Sequence, residues 1–435
     1  MKKTISALSS TLVVAAALTA AISQAQAQAQ AQTTQTTPLP VATPQSQGFS
    51  AEGLHRIDAF FKKEIENNQM PGAVLAVAKN GKLVIYEAYG FRNKATNTPM
   101  TKDTIFELAS MTKIMTAVSA LTFYEEGMLT LKSPASLWFP QFKDMKVGQV
   151  GADGSVTTTP AKQQITVQDL MRHTTGLTYG GRGATPIHKN FPAGSVASAI
   201  EYTGPQLIDK LAAAPLLHEP GTVWNYGFGL DVLGLIQEKI TGKPLSEVMR
   251  ERIWNKVGMP DTGFTKTAKN ENRFAHPLPV DPITGKPQSM DILTANLKYD
   301  CGGGCAYGTA ADYLRFGQML LNGGTIDGKR VLGPQTVAFM TSDHLGTSIK
   351  NELTNTEAGR AGYGFGLSVA VRTERGVAAI NGNIGDYTWN GAYGTTFWAD
   401  PKEKMVVVMM AAAPGEIRKE YRERVNALIY GALEK

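Results

Sequence analysis

Apolar positions along the chain change their period several times, and each change marks an element. After Ser50, the residues Leu54, Ile57, Phe61 and Ile65 recur at near-helical spacing, which predicts a helix with Ser50 as its cap. Two β-rich runs follow, Ala73 to Lys79 and Lys82 to Tyr89. Asn80-Gly81 joins them, and this dipeptide supplies the positive φ angles of a two-residue hairpin turn. The segment opened by Ser110, through Ile114, Val118 and Leu121 to Gly127, is apolar on most sides and reads as a buried helix stopped by glycine. From Leu131 to Met290 helical signals and long loops predominate. Thr166 with Asp169 and the run Leu230 to Ile240, ending at Thr241-Gly242, are the clearest pieces.

Sheet character returns after Gly302. Thr309 and Asp312 form a capping box before a helix at Tyr313 to Leu321. The runs Gly364 to Arg372, Tyr393 to Ala399 and Met405 to Ala411 read as strands, with Asp400-Pro401-Lys402-Glu403 as a turn. Glu416 to Leu433 closes the chain as an amphipathic helix. The order predicts an α/β domain built from residues 46–130 and 291–435, an antiparallel sheet flanked by helices, with a mostly helical domain at 131–290 inserted between.

The N-terminus changes where that fold is expected to work. Met1-Lys2-Lys3, an apolar run from Leu12 to Ile22 and small residues around Ala25-Gln26-Ala27 have the order of a signal peptide over residues 1–27, so the mature chain is expected in the periplasm or secreted. That run is shorter than the roughly 18 apolar residues of a membrane helix, and no permanent anchor is expected. Residues 28–45, rich in Ala, Gln and Thr, read as a disordered linker. The formal charge of +6 is spread along the chain without a dense basic block beyond Arg418 to Arg424, which reads as the solvated face of the C-terminal helix, and this argues against nucleic acid as a partner. Cys301 and Cys305, separated by three glycines, either pair in an oxidising compartment or remain two small buried thiols. Without nearby histidines they make no zinc site, so neither metal nor cofactor is expected.

Candidate chemistry centres on Phe106-Glu107-Leu108-Ala109-Ser110-Met111-Thr112-Lys113. On a helix, Ser110 and Lys113 at i and i+3 share one face, about 5 Å apart at Cβ. A serine hydroxyl is a weak nucleophile until a neighbouring base takes its proton, and a desolvated lysine is one such base. Ser-x-x-Lys alone arises by chance on any helix, so its companions decide its weight. Pro71-Gly72-Ala73, Asp169-Leu170-Met171-Arg172-His173-Thr174-Thr175-Gly176-Leu177, Pro220-Gly221, Trp224-Asn225-Tyr226 and Gly302-Gly303-Gly304 accompany it in order.

With these landmarks the chain from about Phe49 to its C-terminus resembles the serine β-lactamase and penicillin-binding-protein superfamily, and within it the class C β-lactamase-like carboxylesterases called family VIII. The resemblance implies that Ser110 is the acylated nucleophile and that Lys113 and Tyr226 form the proton-transfer pair, with the base left open between them. In class C β-lactamases the second motif is Tyr-x-Asn; here Phe228 replaces the asparagine that helps hold a β-lactam side chain. Trp389-Asn390-Gly391 stands where β-lactamases carry Lys-Thr-Gly. Trp389 cannot pair with an anionic carboxylate, so the resemblance implies a small neutral ester or amide as substrate, the ester preferred, with Phe228, Trp389, Asn390 and Gly391 around it.

Gly391 also suits a strand whose backbone approaches a substrate. The amides of Ser110 and Ala392 are the expected oxyanion hole. His173, four residues after Asp169, suggests a Ser/His/Asp arrangement, but this pair falls in a structural landmark of the family and reads as a hydrogen-bonded scaffold. No Gly-x-Ser-x-Gly elbow surrounds any serine, so an α/β-hydrolase fold is unsupported. The rivals to an esterase are a class C-like β-lactamase or D-alanyl peptidase, a transacylase, and a non-catalytic envelope binding protein.

Overall fold

The structure is a computed structural model that describes residues 37–290 and 296–434. The expected signal peptide lies outside the described residues. Helix α1 (Ala51–Glu66) begins where the Ser50 hydroxyl accepts the Gly53 amide at 3.0 Å. Strands β1 (Gly72–Lys79) and β2 (Lys82–Asn93) form the expected hairpin, with Asn80 and Gly81 at φ 53° and 72°. A short β3 (Thr98–Pro99) pairs with the end of β2. Helix α2 (Thr112–Glu125) is buried along almost its whole length, as its apolar circumference requires. Helices α3 (Val167–Arg172), α4 (Gly229–Thr241) and α5 (Ala310–Leu321) start and stop on local chemistry: a capping box of Thr166 and Asp169, Gly242 at φ 69°, and Thr309 accepting the Asp312 amide. The chain then runs through β4 (Tyr363–Phe365), β5 (Ala370–Arg372), β6 (Tyr387–Asn390), β7 (Thr396–Asp400) and β8 (Met405–Ala411) to α6 (Ile417–Gly431).

These strands make one antiparallel sheet in the order β4-β5-β6-β7-β8-β1-β2-β3. Pairing of β1 with β8, Ala73 opposite Ala411 through Lys79 opposite Met405, joins the two ends of the chain. Both strands read as continuous apolar runs because both faces of the sheet are covered. Ala73, Leu75 and Val77 pack with α1 and α6 through Ile57, Phe61, Val425 and Ile429. Val74, Ala76 and Ala78 point the other way, into a larger core shared with α2 and α5. That core continues into residues 131–290, and Leu39–Lys435 is one compact unit. Helices such as Ser195–Glu201 and Gly204–Ala213 fill the 131–290 stretch, together with a hairpin of Lys146–Val150 and Val156–Pro160 that the sequence reading did not foresee.

Three expectations are corrected. The linker expected to be disordered as far as residue 45 is ordered from Leu39, because Leu39 is buried and Leu83 exchanges backbone hydrogen bonds with Pro40 and Ala42. Gly364 to Arg372 is a hairpin, β4 and β5, turned at Gly366 and at Ser368 with φ 72°. The strand expected from Tyr393 starts only at Thr396, since Gly391 to Thr395 forms a turn closed by the Gly391 amide on the Thr395 carbonyl at 2.9 Å. Among the described residues no helix is long and apolar enough to cross a membrane.

Candidate active site

Ser110 lies in a 3-10 turn, Ala109–Met111, that leads directly into α2. Ala109 before it has φ 45°, a conformation that costs an L residue of order 1–3 kcal/mol and persists only where its surroundings enforce it. The surroundings are visible on both sides: the Leu108 amide donates to Ala306, and the Leu108 carbonyl accepts the Thr395 hydroxyl at 3.3 Å. One helical turn on, Lys113 is 1% exposed, with its amine 3.4 Å from the Ser110 hydroxyl. That separation is long for a hydrogen bond, as is common before a substrate tightens a site. The same amine donates to the carbonyl of Gly303 and lies 4.6 Å from the ring centre of Tyr226 and 5.4 Å from that of Tyr179.

Tyr226 stands in an aromatic enclosure, with ring centres of His173 at 4.5 Å, Trp389 at 5.4 Å, Tyr179 at 5.6 Å and Trp224 at 6.0 Å. Trp389, 2% exposed, donates its indole N–H to the Tyr226 hydroxyl at 3.1 Å. In this contact the phenol oxygen is the acceptor. The guanidinium of exposed Arg182 lies 4.7 Å above the same ring. Ser110, Lys113 and Tyr226 are thus brought together by α2 and by the approach to α4.

The turn after β6 reaches this group from the sheet. Gly391 is buried, and a Cβ there would fall 2.0 Å from the Thr395 hydroxyl and 2.4 Å from the Leu108 carbonyl oxygen. Close approach explains the glycine, since only a residue without a side chain fits against the backbone leading to Ser110. Ala392 in the turn is exposed, and neither its amide nor that of Ser110 donates to an acceptor among the described residues.

Two expected substrate-binding residues point elsewhere. Asn390 follows Trp389 on a strand and so faces the opposite side of the sheet, where its side chain donates to Glu357 at 3.2 Å and accepts from Thr396 at 2.6 Å. Phe228 caps the start of α4 with its ring fully buried, edge-on to Tyr179 at 4.6 Å. It supports Tyr179 from behind. His173 also departs from expectation, since its ring makes no hydrogen bond among the described residues. Asp169 is occupied instead by Thr166, Arg172 and Thr174. Burial, and then the charges of Lys113 and Arg182, push the His173 ring well below its ordinary value and keep it neutral.

Sequence reasoning missed a carboxylate. Asp231 is buried in the first turn of α4, where one oxygen accepts the Gly303 amide at 3.1 Å and the other accepts the Ser195 hydroxyl at 2.8 Å and the Tyr179 hydroxyl at 3.4 Å. Burial raises its carboxyl above the ordinary range, while the charge of Lys113 and these donors oppose the rise. An isolated acid inside the apolar run from Leu230 to Ile236 was the available signal. Cys301 and Cys305 form a disulfide at the base of the Gly302–Gly304 loop.

The family model described as Beta-lactamase matches residues 57–431. An uncharacterized protein of Mycobacterium tuberculosis is 34% identical over 355 residues, which span 78% of this chain and 85% of the relative. The esterase EstB of Burkholderia gladioli is 28% identical over 376 residues, 82% of this chain and 89% of the esterase. The solved structure of EstCE1, described as a hydrolase with promiscuous acyltransferase activity, aligns with a TM-score of 0.70 at 25% identity, covering 87% of this chain and 98% of EstCE1. This likeness carries the β-lactamase and transpeptidase fold that the motif order implied.

Proposed function

The chain belongs to the Beta-lactamase family, and from that membership we propose that it is an exported serine esterase cleaving small neutral esters through an acyl-Ser110 intermediate. The observation that carries this reading is the buried Lys113 amine, which faces both the Ser110 hydroxyl at 3.4 Å and the ring of Tyr226 at 4.6 Å. In the first half-reaction the Lys113 and Tyr226 pair takes the Ser110 proton as Oγ attacks the ester carbonyl, and returns it to the departing alcohol. The free amides of Ser110 and Ala392 receive the developing oxyanion. In the second half the pair activates water against the acyl-enzyme. Trp389 supports a neutral substrate: it occupies the place of a carboxylate-binding lysine and spends its N–H on Tyr226. The order of Met1-Lys2-Lys3, the apolar run and the small residues supports export to the periplasm or beyond.

Acyl transfer to an alcohol acceptor is the second reading, favoured by the acyltransferase activity described for EstCE1. The test is hydrolysis of short p-nitrophenyl esters and of nitrocefin by the mature protein and its Ser110→Ala variant, with and without added alcohol. Ester turnover lost in the variant supports the proposal, and an acceptor-dependent ester product moves it to transfer. Strong nitrocefin turnover would reassign the chain to β-lactamase chemistry, and turnover surviving in Ser110→Ala would remove Ser110 as nucleophile.

A further inference from the structure

The Lys113 amine is placed by a loop that has no rigidity of its own. Its long stem ends on the carbonyl of Gly303, in the middle of three consecutive glycines, the residues with the greatest backbone freedom. Three restraints remove that freedom. Cys301 and Cys305 are bonded across the base of the loop, with Cα atoms 5.2 Å apart, and the amides of Gly304 and Cys305 return to the Cys301 carbonyl at 3.1 and 3.2 Å. Thr116, on the helix that carries Lys113, donates to the Gly302 carbonyl at 2.7 Å. On the opposite side the Asp231 carboxylate accepts the Gly303 amide at 3.1 Å, and is itself held by Ser195 and Tyr179. The fit is close enough that a Cβ on Gly303 would come within 2.2 Å of Asp231 and 2.3 Å of Ser195.

We propose that the Cys301–Cys305 disulfide and Asp231 are positioning elements that clamp the Gly303 carbonyl against the Lys113 amine, so that turnover depends on the oxidised pair. The proposal rests on the esterase reading for its consequence and on the loop geometry for its cause. A five-residue ring restricts the unfolded chain little, because the entropic gain of a disulfide grows with the loop it closes. The clamp therefore acts on the place of the amine far more than on global stability. A one-ångström misplacement of such a group is sufficient to lower turnover strongly. Reduction by a dithiol delivers two electrons and two protons to give two thiols, and the reductant closes into its own disulfide.

The experiment compares the mature protein with Cys301→Ser/Cys305→Ser, Asp231→Ala and Asp231→Asn. Expected for the double serine variant is a kcat lower by about tenfold or more, with KM within about twofold and little change in melting temperature, the pattern of a lost positioning contact. Asp231→Ala should lose kcat alike, with a lower melting temperature because it leaves the buried Gly303, Ser195 and Tyr179 donors unpaired, and Asp231→Asn, which keeps an acceptor for the Gly303 amide, should recover part of both losses. A kcat within about twofold of the parent in the double variant overturns the proposal. Where that variant fails to fold, the parent is reduced with dithiothreitol, its thiols are counted after unfolding, and its turnover is followed through reoxidation. Unchanged turnover with two thiols present overturns it equally. Crystal structures of parent and double variant supply a readout independent of activity: Lys113 still seated on Gly303 without the disulfide refutes the clamp. Should Ser110→Ala hydrolyse esters at the parental rate, the acyl-Ser110 mechanism fails on its own and the crystal comparison decides the clamp.

Discussion

Replacing Gly391 with alanine puts a methyl group where the turn after β6 meets the backbone leading to Ser110. The added carbon would begin 2.0 Å from the Thr395 hydroxyl and 2.4 Å from the Leu108 carbonyl oxygen. The hydroxyl can rotate away and surrender its 3.3 Å bond to Leu108, but the carbonyl is main chain and cannot. Reaching an ordinary contact of roughly 3.5 Å requires the two backbones to part by about 1 Å. Arg422 resists that parting from behind by donating to the carbonyls of Gly391 and Thr395. A shift of this size between the Ala392 and Ser110 amides costs roughly 10²-fold in rate, about 2.7 kcal/mol, comparable to losing one oxyanion donor. Overpacking adds roughly 1–3 kcal/mol of lost stability. The assay is steady-state hydrolysis of a p-nitrophenyl ester beside a thermal melt, with kcat expected to fall and KM to hold. If Gly391→Ala keeps kcat within about threefold of the parent while its melting temperature drops, the turn is packed against Ser110 but has no part in stabilising the oxyanion.

Two further outcomes follow from the aromatic enclosure. Trp389→Phe keeps most of the ring contacts but removes the N–H held on Tyr226 at 3.1 Å, worth about 0.5–1.5 kcal/mol, so kcat should fall by roughly 2- to 12-fold with little change in KM; an unchanged kcat would mean the phenol needs no such support. His173 is kept neutral by burial, so below about pH 6.5 the unfolded chain takes up a proton that the folded chain refuses. The contribution of this group is therefore fully favourable above that pH and declines as pH falls, by about 1.4 kcal/mol per pH unit. Thermal or urea unfolding of parent and His173→Phe between neutral and mildly acid pH should show a shallower decline in the variant, and parallel declines would refute the assignment.

Much of the fold is legible because its signals are short-range. Ser50, Thr166, Thr309 and Gly242 begin or end helices through bonds and φ angles within four residues of themselves, and Asn80-Gly81 makes a hairpin by the sterics of two residues. Ser110 and Lys113 meet for the same reason, since three residues along a helix is a fixed distance. Where the reading failed, the deciding contact was remote. The turn at Gly391 is set by Leu108 and Arg422, so Tyr393 does not begin a strand. Asn390 was grouped with Trp389 by adjacency, but a strand sends neighbours to opposite faces, and only its place in the sheet says which face looks toward Ser110.

By itself, then, the sequence determined where elements start, which of them are buried, and that a serine, a lysine and a tyrosine stand in a recognisable order. Tertiary structure alone decided what those three side chains rest on. Trp389 reaches Tyr226 across 163 positions, and Gly303, which holds Lys113, is fixed by Asp231 across 72. Spacing along a chain carries no information about such pairs. They exist because sheet register and core packing bring the two backbones within hydrogen-bond reach, where a buried donor or acceptor without a partner would cost more than the bond it makes.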